Sequence, residues 1–578
     1  MALTRRIQTN FSKGELTPLL EGRPDLAAYF EGASEITNWV ILRQGGVSRR
    51  VGTIFVTEVK NQAQDTILLP MIPSVDLAYI LEIGHQYIRF FFDRAPVRVN
   101  PTDPPYEIVS PYTESQLRDI HITQSVDVMW LFHEAVQQHR LSHLAPTNWS
   151  LLPITYDPPA LHEEEPTFNA TLTLAATTGL GIAFTLSNNV LLAADVGRYI
   201  VYGASKAEIR TITAGGGAGT VDILDAFPDT NPIPAGDWRL KLSPQSELNP
   251  TNAHRGIISL TTNIDTFRST DVGKYIIIYG GLVKITKFIS ARSIQGDVLS
   301  EMSGYDPEDA SSPNDPKKAF PGNWELAVPS WSAILGYPRT GEFFQGRLGQ
   351  AASPQFPTTF WLSESDNYDS YTPGVLASNA VEYAIASRQL NRIEWLADNV
   401  DLFIGTNGDE QRARGGRDDA PIGGDQVPLV SKFTNHGSAP IQPINVNNRT
   451  IYVDRSRKKI FTIAFNLEED KFDSVELTGP AEHITGNGIR KGPIATTHRP
   501  DPRVYFVRED GKLVSLTYFP QEKVIGFTVY ETANGRDSFE SVAVIPRPAP
   551  LGDQVWVIVK RIIKGQTRRY IEYFEAGV

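Results

Sequence analysis

The sequence predicts a mainly β protein: an irregular β-propeller-like body, an inserted tandem pair of small β modules and an N-terminal arm. Two observations lead to this prediction. The chain has 45 glycines and 40 prolines among 578 residues, about 15% against a typical ~12%, and this excess is typical of many turns between short strands. Short apolar runs also recur in pairs with turn residues between them, which is the pattern of β-hairpins.

Six segments have this hairpin pattern. Strand pairs of this length are too short to be stable alone, so we expect them to stack around a common axis as propeller blades. Their irregular spacing excludes a WD40 or kelch array, and a β-sandwich with long excursions is the structural alternative. The segments are 77–83 with 87–92, 126–132 with 138–144, 400–404 with a turn at 407–408, 450–453 with 460–463, 504–507 with 513–518, and 555–559 with 568–574.

An internal duplication interrupts the hairpin series. Asp195-Val196-Gly197-Arg198-Tyr199 recurs as Asp271-Val272-Gly273-Lys274-Tyr275, and the offset from position 195 to position 271 is 76. We therefore predict two small β modules in tandem, the second with an exposed, mobile polar loop from Ser303 to Lys318. Further matches are Ile209 with Ile285, Gly219-Thr220-Val221 with Gly296-Asp297-Val298, and Trp238-Arg239-Leu240 with Trp324-Glu325-Leu326.

The N-terminal segment does not have the pattern of a core. Residues 10–18 contain a glycine and a proline four positions apart, which breaks a helix, and lack the period-2 alternation of a strand, so we expect an arm. Pro24 and Asp25 suit the first turn of a short helix. The apolar run 39–42 predicts a buried stretch that leads into a basic, glycine-rich loop at 43–53.

Three motifs in this segment resemble the N-terminus of tail nozzle proteins of short-tailed bacteriophages, also called tail tubular protein B-like or stabilisation proteins. The motifs are Phe11-Ser12-x-Gly14-Glu15-Leu16-x-Pro18, Gly22-Arg23-x-Asp25-Leu26-x-x-Tyr29 and Gly45-Gly46-Val47-x-Arg49-Arg50-x-Gly52-Thr53. The resemblance resumes after the duplicated modules and covers roughly residues 1–155 and 331–578. Its later motifs include Gly336-Tyr337-Pro338, Phe343 to Leu348, Pro357-x-Thr359-x-Trp361-x-Ser363, Asn391-x-Ile393-x-Trp395-Leu396, Ala481 to Ile484, and Arg508-Glu509-Asp510-Gly511.

The resemblance implies a structural virion protein of the phage tail that is assembled in the host cytoplasm, and not an enzyme. Such proteins form a homo-oligomeric ring, typically a hexamer, below the portal and adaptor. The ring extends the DNA ejection channel and holds spikes or fibres and a needle or plug, while phage DNA passes without specific binding. The alternative is a receptor-binding or polysaccharide-depolymerising tail spike or propeller enzyme, although spikes are usually trimers with short β-helix repeats, which are absent here. A bacterial propeller lectin or hydrolase would need a signal peptide.

Composition narrows the function classes. The net charge of −12 comes from 54 basic and 66 acidic residues spread along the chain, which argues against a general nucleic-acid binder and equally suits ordinary solubility. With no cysteine, disulfides and thiolate chemistry are excluded, as suits a reducing cytoplasm. No run approaches the ~20 apolar residues of a membrane span and no signal peptide is evident, so we expect neither a membrane anchor nor Sec export.

Two short stretches contain metal-binding residue types. Glu163-Glu164-Glu165 follows His162, but consecutive residues of an extended segment point to alternating sides, which favours a solvated linker. His139 and His143 have the i, i+4 spacing of zinc-binding histidines on a helix. Their local pattern is that of a strand, however, and no third ligand accompanies them.

Three further stretches have features of binding or catalysis. The glycines of 215–220 lack the Lys-Ser/Thr of a P-loop and predict a hairpin turn. The acidic loop 364–369 resembles the loop tips of propeller glycosidases, which need two carboxylates about 5 to 10 Å apart, and one sequence does not show a second carboxylate that converges on this loop. Arg43, Arg49 and Arg50 could contact phosphate, an acid of another subunit or backbone carbonyls. We therefore predict no catalytic residue, cofactor site or metal site.

We divide the chain into four parts. Residues 1–60 form the arm and the basic loop, and 61–158 form the first part of the propeller-like body. Residues 159–330 are the inserted duplicated modules. Residues 331–578 complete the body.

Overall fold

The computed structural model describes residues 8–302, 318–416, 420–466, 471–532, 536–548 and 551–575. Regular structure in these ranges is almost entirely β-strand, so the predicted mainly β class is confirmed. The helical segments are short: 3₁₀ turns at Pro18–Leu20, Ala27–Phe30, Glu114–Asp119, Ala193–Asp195, Ser269–Asp271, Gly479–Ala481 and Pro520–Glu522, and one α-helical turn, α1, at Glu482–Thr485.

Five short strands begin the chain, and two antiparallel sheets follow them. The first strands are β1 (Gly14–Glu15), β2 (Gly32–Ala33), β3 (Trp39–Ile41), β4 (Val47–Arg49) and β5 (Thr53–Glu58). Sheet 1 contains β6 (Ile67–Met71), β7 (Tyr79–Gly84), β8 (Tyr87–Phe92), β9 (Ala95–Pro96) and β10 (Glu107–Val109). Sheet 2 contains β11 (His121–Ser125), β12 (Val128–His133), β13 (Val136–Ala145) and β14 (Asn148–Pro153).

Two sheets with the same strand order form the insert between sheets 2 and 3. After β15 (Leu161–Glu163), sheet A contains β16 (Leu172–Leu174), β17 (Gly179–Leu186), β18 (Tyr199–Tyr202), β19 (Ser205–Ile212), β20 (Ala218–Asp225) and β21 (Arg239–Lys241). Sheet B contains β22 (Leu248–Pro250), β23 (Gly256–Thr262), β24 (Tyr275–Ile278), β25 (Gly281–Ser290), β26 (Ser293–Ser300) and β27 (Trp324–Pro329). The orders are β16-β17-β20-β19-β18-β21 and β22-β23-β26-β25-β24-β27, with β15 added beside β27.

Five more sheets complete the chain. Sheet 3 contains β28 (Thr340–Phe344), β29 (Arg347–Ala351), β30 (Thr359–Leu362) and β31 (Val381–Ala384); sheet 4 contains β32 (Ile393–Asp398), β33 (Leu402–Thr406), β34 (Glu410–Arg414) and β35 (Leu429–Thr434). Sheet 5 contains β36 (Ile444–Val446), β37 (Arg449–Val453), β38 (Ile460–Asn466) and β39 (Lys471–Glu476); sheet 6 contains β40 (Ala495–Thr497), β41 (Arg503–Val507), β42 (Leu513–Phe519) and β43 (Val524–Tyr530). Sheet 7 contains β44 (Ser538–Ile545), β45 (Gln554–Ile563) and β46 (Gln566–Phe574), and β5 is its fourth strand.

Sheets 1 to 7 follow one another in a closed ring. A hydrophobic cluster lies between every adjoining pair, including sheets 7 and 1. Pairing of β5 with β46 closes the ring, so the beginning and the end of the chain share one sheet. The described residues therefore build the predicted propeller-like body with seven blades, and the β-sandwich alternative is wrong.

The two modules of the insert use equivalent contacts. Trp238 is fully buried and its indole N–H donates to the carbonyl oxygen of Ala170 at 2.7 Å. Trp324 donates likewise to the carbonyl oxygen of Ser246 at 2.9 Å, and Ser246 lies 76 positions after Ala170. This confirms the predicted duplication. The predicted loop at 303–318 lies outside the described residues except for Lys318.

The arm is more closely integrated than predicted. Gly14 in β1 pairs in parallel with Phe527 of β43, which adds a strand to sheet 6. Glu15 and Leu16 are buried. The prediction that residues 10–18 contain no strand and no core residue is therefore wrong: a two-residue strand at a sheet edge needs no period-2 pattern. Gly14 has φ +68°, and a Cβ there would lie 2.5 Å from the Phe527 nitrogen, so the close approach requires glycine.

Two local predictions in the same segment need correction. The short helix is a 3₁₀ turn that begins at Ala27, so Pro24 and Asp25 precede it. Trp39, predicted to be buried, is 43% exposed, whereas Ile41 is fully buried. Burial increases along β3 because its Ile41 end contacts sheet 6, where the Thr517 hydroxyl donates to the Ile41 carbonyl oxygen at 3.4 Å.

Candidate functional site

The three consecutive glutamates of the insert linker bind separate partners. Glu163 accepts a hydrogen bond from Ser243 at 2.9 Å. Glu164 forms an ion pair with Lys274 at 2.5 Å, and Glu165 forms one with Arg239 at 2.7 Å. The predicted solvated charge run is therefore wrong: these half-buried carboxylates attach the linker to both modules. The prediction that they do not converge is confirmed.

His139 and His143 both lie on β13, as the strand pattern predicts. Four residues of a strand span about 13 Å, which is too far for two ligands of one ion. The Nδ1 atom of His139 lies 2.6 Å from the Gln137 carbonyl oxygen, and that of His143 lies 3.1 Å from Asp127. Within the described ranges, no group of three His, Cys, Asp or Glu side chains has the arrangement of a metal site.

The glycine-rich segment 215–220 and the acidic loop 364–369 both have structural roles. The glycine-rich segment 215–220 contains the hairpin turn between β19 and β20, as predicted. In the acidic loop 364–369, Asp369 forms an ion pair with Arg140 of sheet 2. That carboxylate is thus engaged by an arginine between two blades.

The basic loop contains three arginines with different surroundings. Arg43 pairs with Glu522, with its Nε atom 2.6 Å from the carboxylate. Arg50 donates to the carbonyl oxygens of Val51 at 2.9 Å and Glu531 at 3.0 Å, which confirms carbonyl binding for this residue. Arg49 is exposed and forms no ion pair with a described residue.

Arg49 and Arg50 line a cavity of about 540 Å³ between the β3–β4 hairpin and sheets 6 and 7. Three arginines from distant parts of the chain, Arg499, Arg503 and Arg547, line the same space. We call this space the arginine cavity. Among the described residues, two acids, Asp553 and Glu575, line it, so this lining carries a net positive charge in a chain of net charge −12.

The floor of the arginine cavity is aromatic. Tyr505, Tyr530 and Phe574 are buried, and the Arg50 guanidinium lies 5.6 Å from the ring centroids of both Tyr530 and Phe574. This cation–π arrangement holds the guanidinium at the base of the cavity. Burial lowers the pKa of Arg50 from its ordinary value because it removes water from the charged group.

Arg503 is the most enclosed of the five arginines. It is 7% exposed, and its Nη2 atom pairs with Asp501 at 2.7 Å. Its Nε–H is buried and has no hydrogen-bond partner among the described residues. A buried, unsatisfied donor of this kind costs stability unless a ligand or water binds it.

Two loops that carry arginines are fixed to the same turn. The Asp553 carboxylate accepts hydrogen bonds from the backbone N–H groups of His498 at 2.6 Å and Arg499 at 3.1 Å. Arg547 donates from Nε to the Gly552 carbonyl oxygen at 3.0 Å. The rim of the cavity is thus held in place by hydrogen bonds before any ligand binds.

Sequence reasoning did not identify Arg499, Arg503 and Arg547. They are about 450 to 500 positions away from the basic loop, and only the closure of the ring brings them beside it. One signal was present: a proline neighbours each of them, in Arg499-Pro500, Pro502-Arg503 and Pro546-Arg547-Pro548. A neighbouring proline restricts the backbone beside each of these arginines.

Side chains cross the centre of the ring. The amide of Gln442, just before sheet 5, accepts a hydrogen bond from the Ile122 N–H at 3.0 Å and donates to the Ile122 carbonyl oxygen at 2.6 Å. Arg118 binds Asp65 and also donates to the carbonyl oxygens of Lys491 at 3.0 Å and Glu540 at 3.2 Å. The space that remains near the axis is about 350 Å³.

Comparisons with known proteins do not assign a family. No family model and no curated protein matches the chain. The chain is similar in structure to Raptor from Chaetomium thermophilum, with 9% identity and a TM-score of 0.26 over 70% of this chain and 30% of the Raptor chain. It is also similar to an auxiliary nutrient binding protein from Bacteroides ovatus, with 10% identity and a TM-score of 0.26 over 70% of this chain and 98% of that one. Likeness at this level gives no argument about function. In the part of the chain that the structure describes, no helix has the length and apolar character to cross a bilayer.

Proposed function

We propose that the protein is the tail nozzle subunit of a short-tailed bacteriophage: a structural virion protein that forms a ring, extends the DNA channel below the adaptor and anchors spikes or fibres and a plug. The ordered series of three motifs in residues 11–53 is the observation on which this proposal rests. The further similar motifs on both sides of the insert extend it over the body of the chain.

The contacts of the motif residues support a structural role for them. Gly14 allows β1 to approach β43, Arg23 forms an ion pair with Asp25 at 2.7 Å, and Arg50 binds two carbonyl oxygens. The Gly14 and Arg50 contacts join the first segment of the chain to residues 527–531, and the Arg23–Asp25 pair is local to the arm. None of them places a nucleophile or a pair of carboxylates beside a substrate cavity.

Side chains cross the central axis of the propeller, and this affects where DNA would pass. Because Gln442 and Arg118 bridge opposite sides of the centre, a duplex has no path through a single subunit. A DNA channel therefore has to lie between subunits, as in a ring of copies. The net charge of −12 suits such a wall, since an acidic surface does not retain phosphate.

The experiment is assembly of the purified protein with and without its adaptor ring. We expect a largely monomeric protein alone, and a ring of six copies with a central opening on the adaptor, in sedimentation and negative-stain images. A stable trimer that the adaptor does not change, or cleavage of host surface polysaccharide by the purified protein, would contradict the proposal and favour a spike.

A further inference from the structure

We propose that the arginine cavity is a docking site for an acidic segment of another protein. One or two carboxylate side chains would bind the arginines, and a neighbouring apolar side chain would pack on the aliphatic wall. The inference rests on the cavity itself and does not depend on the proposed ring.

Most of the arginines that line the cavity have no carboxylate partner among the described residues. Arg49, Arg50, Arg499 and Arg547 form no ion pair with any carboxylate in the described ranges, whereas Arg503 pairs with Asp501. Most other arginines in the described ranges form an ion pair with a carboxylate, as Arg118 does at the ring centre. Arginines that outnumber the carboxylates lining a cavity favour an anionic ligand by charge complementarity.

The geometry suits carboxylates in particular. A guanidinium presents parallel N–H donors that match the two oxygens of a carboxylate or of a phosphate. The buried Nε–H of Arg503 lacks a partner, and a carboxylate oxygen would supply one. Because Asp553 and Gly552 already hold the loops of Arg499 and Arg547, little ordering would be needed on binding.

The remaining lining favours a peptide over a nucleic acid. Val40, Val51 and Val555 line the cavity, and Leu551 on its rim is 47% exposed. These groups match an aliphatic side chain and nothing in a phosphate backbone. The cavity volume of about 540 Å³ is in the usual range for a bounded ligand site, whereas a duplex would require an extended basic surface.

The test uses fluorescence anisotropy with the full chain and a labelled, end-blocked pentapeptide, Leu-Glu-Asp-Leu-Glu. The matched probe is Leu-Gln-Asn-Leu-Gln. We expect the acidic peptide to bind and the amide peptide to bind at least about tenfold more weakly. Replacing both exposed arginines, Arg49→Gln with Arg499→Gln, should weaken binding of the acidic peptide by about tenfold or more, since charge-assisted hydrogen bonds are lost.

The control variant is Arg43→Gln, which removes one positive charge from the loop of Arg49 but outside the cavity, and it should change affinity less than about twofold. Equal melting curves of the variants establish that folding is unchanged; if the double variant melts lower, the single Arg499→Gln variant replaces it. Equal binding of both peptides, or no effect of the cavity substitutions, overturns the proposal. Tighter binding of an eight-residue oligothymidylate assigns the cavity to phosphate and overturns it as well. Self-association of the wild type that the double variant loses identifies a second copy as the occupant, which also overturns it.

Discussion

Trp238→Ala is expected to unfold the first module of the insert while the propeller stays folded. The indole is fully buried, donates to the Ala170 carbonyl oxygen at 2.7 Å and packs beside Phe168 with 5.2 Å between ring centroids. Truncation of a buried aromatic residue costs about 3–5 kcal/mol, and the lost hydrogen bond places this residue in the upper half of that range. A small domain has only about 5–15 kcal/mol in total, so most of the stability of the module would be lost.

Limited proteolysis with mass-spectrometric mapping measures the effect. In the Trp238→Ala protein, new cuts should fall between residues 160 and 330, first in sheet A, and ring assembly should persist. Trp324→Ala is the matched variant because it removes the equivalent indole, and its cuts should fall first in sheet B. The ion pair between Arg268 and Asp195, at 2.6 Å, joins the two modules.

Two results would refute this reasoning. Cuts that appear first beyond residue 331 would mean that the insert is part of the main body. Loss of the whole fold in one transition would mean the same, and the division at 159–330 would fail.

Glu82→Gln should remove part of the pH dependence of the free energy of unfolding. Glu82 is fully buried, and burial raises its pKa. The wild type therefore loses stability as pH rises from about 4.3 through the pKa of Glu82 in the folded state. Melting temperatures across this range test it, and equal slopes for both proteins would contradict it. Asp65→Asn should destabilise the ring centre by about 1.5–3 kcal/mol at pH 7, because hydrogen bonds and charge from Arg118 outweigh burial and lower the pKa of Asp65. That stability is present above about pH 3.9 and is lost as pH falls through the folded pKa, so the deficit of the variant should shrink in acid; a constant deficit would argue against this cause. Deleting residues 1–30 removes β1 and leaves the four strands of sheet 6, so we expect a folded body with a lower melting temperature and lost adaptor binding in pull-downs. An insoluble product would mean that the body cannot fold without the arm.

Local patterns predicted the hairpins well. Runs such as 77–83 with 87–92 are each specified by turn residues and apolar neighbours a few positions apart, and they became β7 and β8. The duplication was equally visible, because both modules repeat the same glycine turn and tryptophan. The blade of sheet 3 was missed as a hairpin. A two-residue turn joins β28 and β29, but β29 (Arg347–Ala351) lacks the apolar run of the other hairpins, and the connection from β30 to β31 is long.

Contacts between distant segments could not be read from local patterns. Nothing around Thr53–Glu58 indicates that this strand pairs with β46 at the other end of the chain. The bridge from Gln442 to Ile122 depends on where the ring places two loops, because a glutamine amide has no preferred partner in sequence. Arg49 lies near Arg499 and Arg547 only because the ring closes, so the arginine cavity became apparent only in the assembled fold.

Pairing of β5 with β46 has a consequence for how the protein is made on the ribosome. The strand at 53–58 leaves the ribosome long before its partner at 566–574, because about 508 positions separate them. At about 5–20 residues per second, that separation keeps the first strand waiting for roughly 25 to 100 seconds. During this time one strand edge and the hydrophobic surface between sheets 7 and 1 remain uncovered. A nascent chain that stalls before residues 566–574 cannot complete the circle, so only chains that extend past this strand become closed molecules.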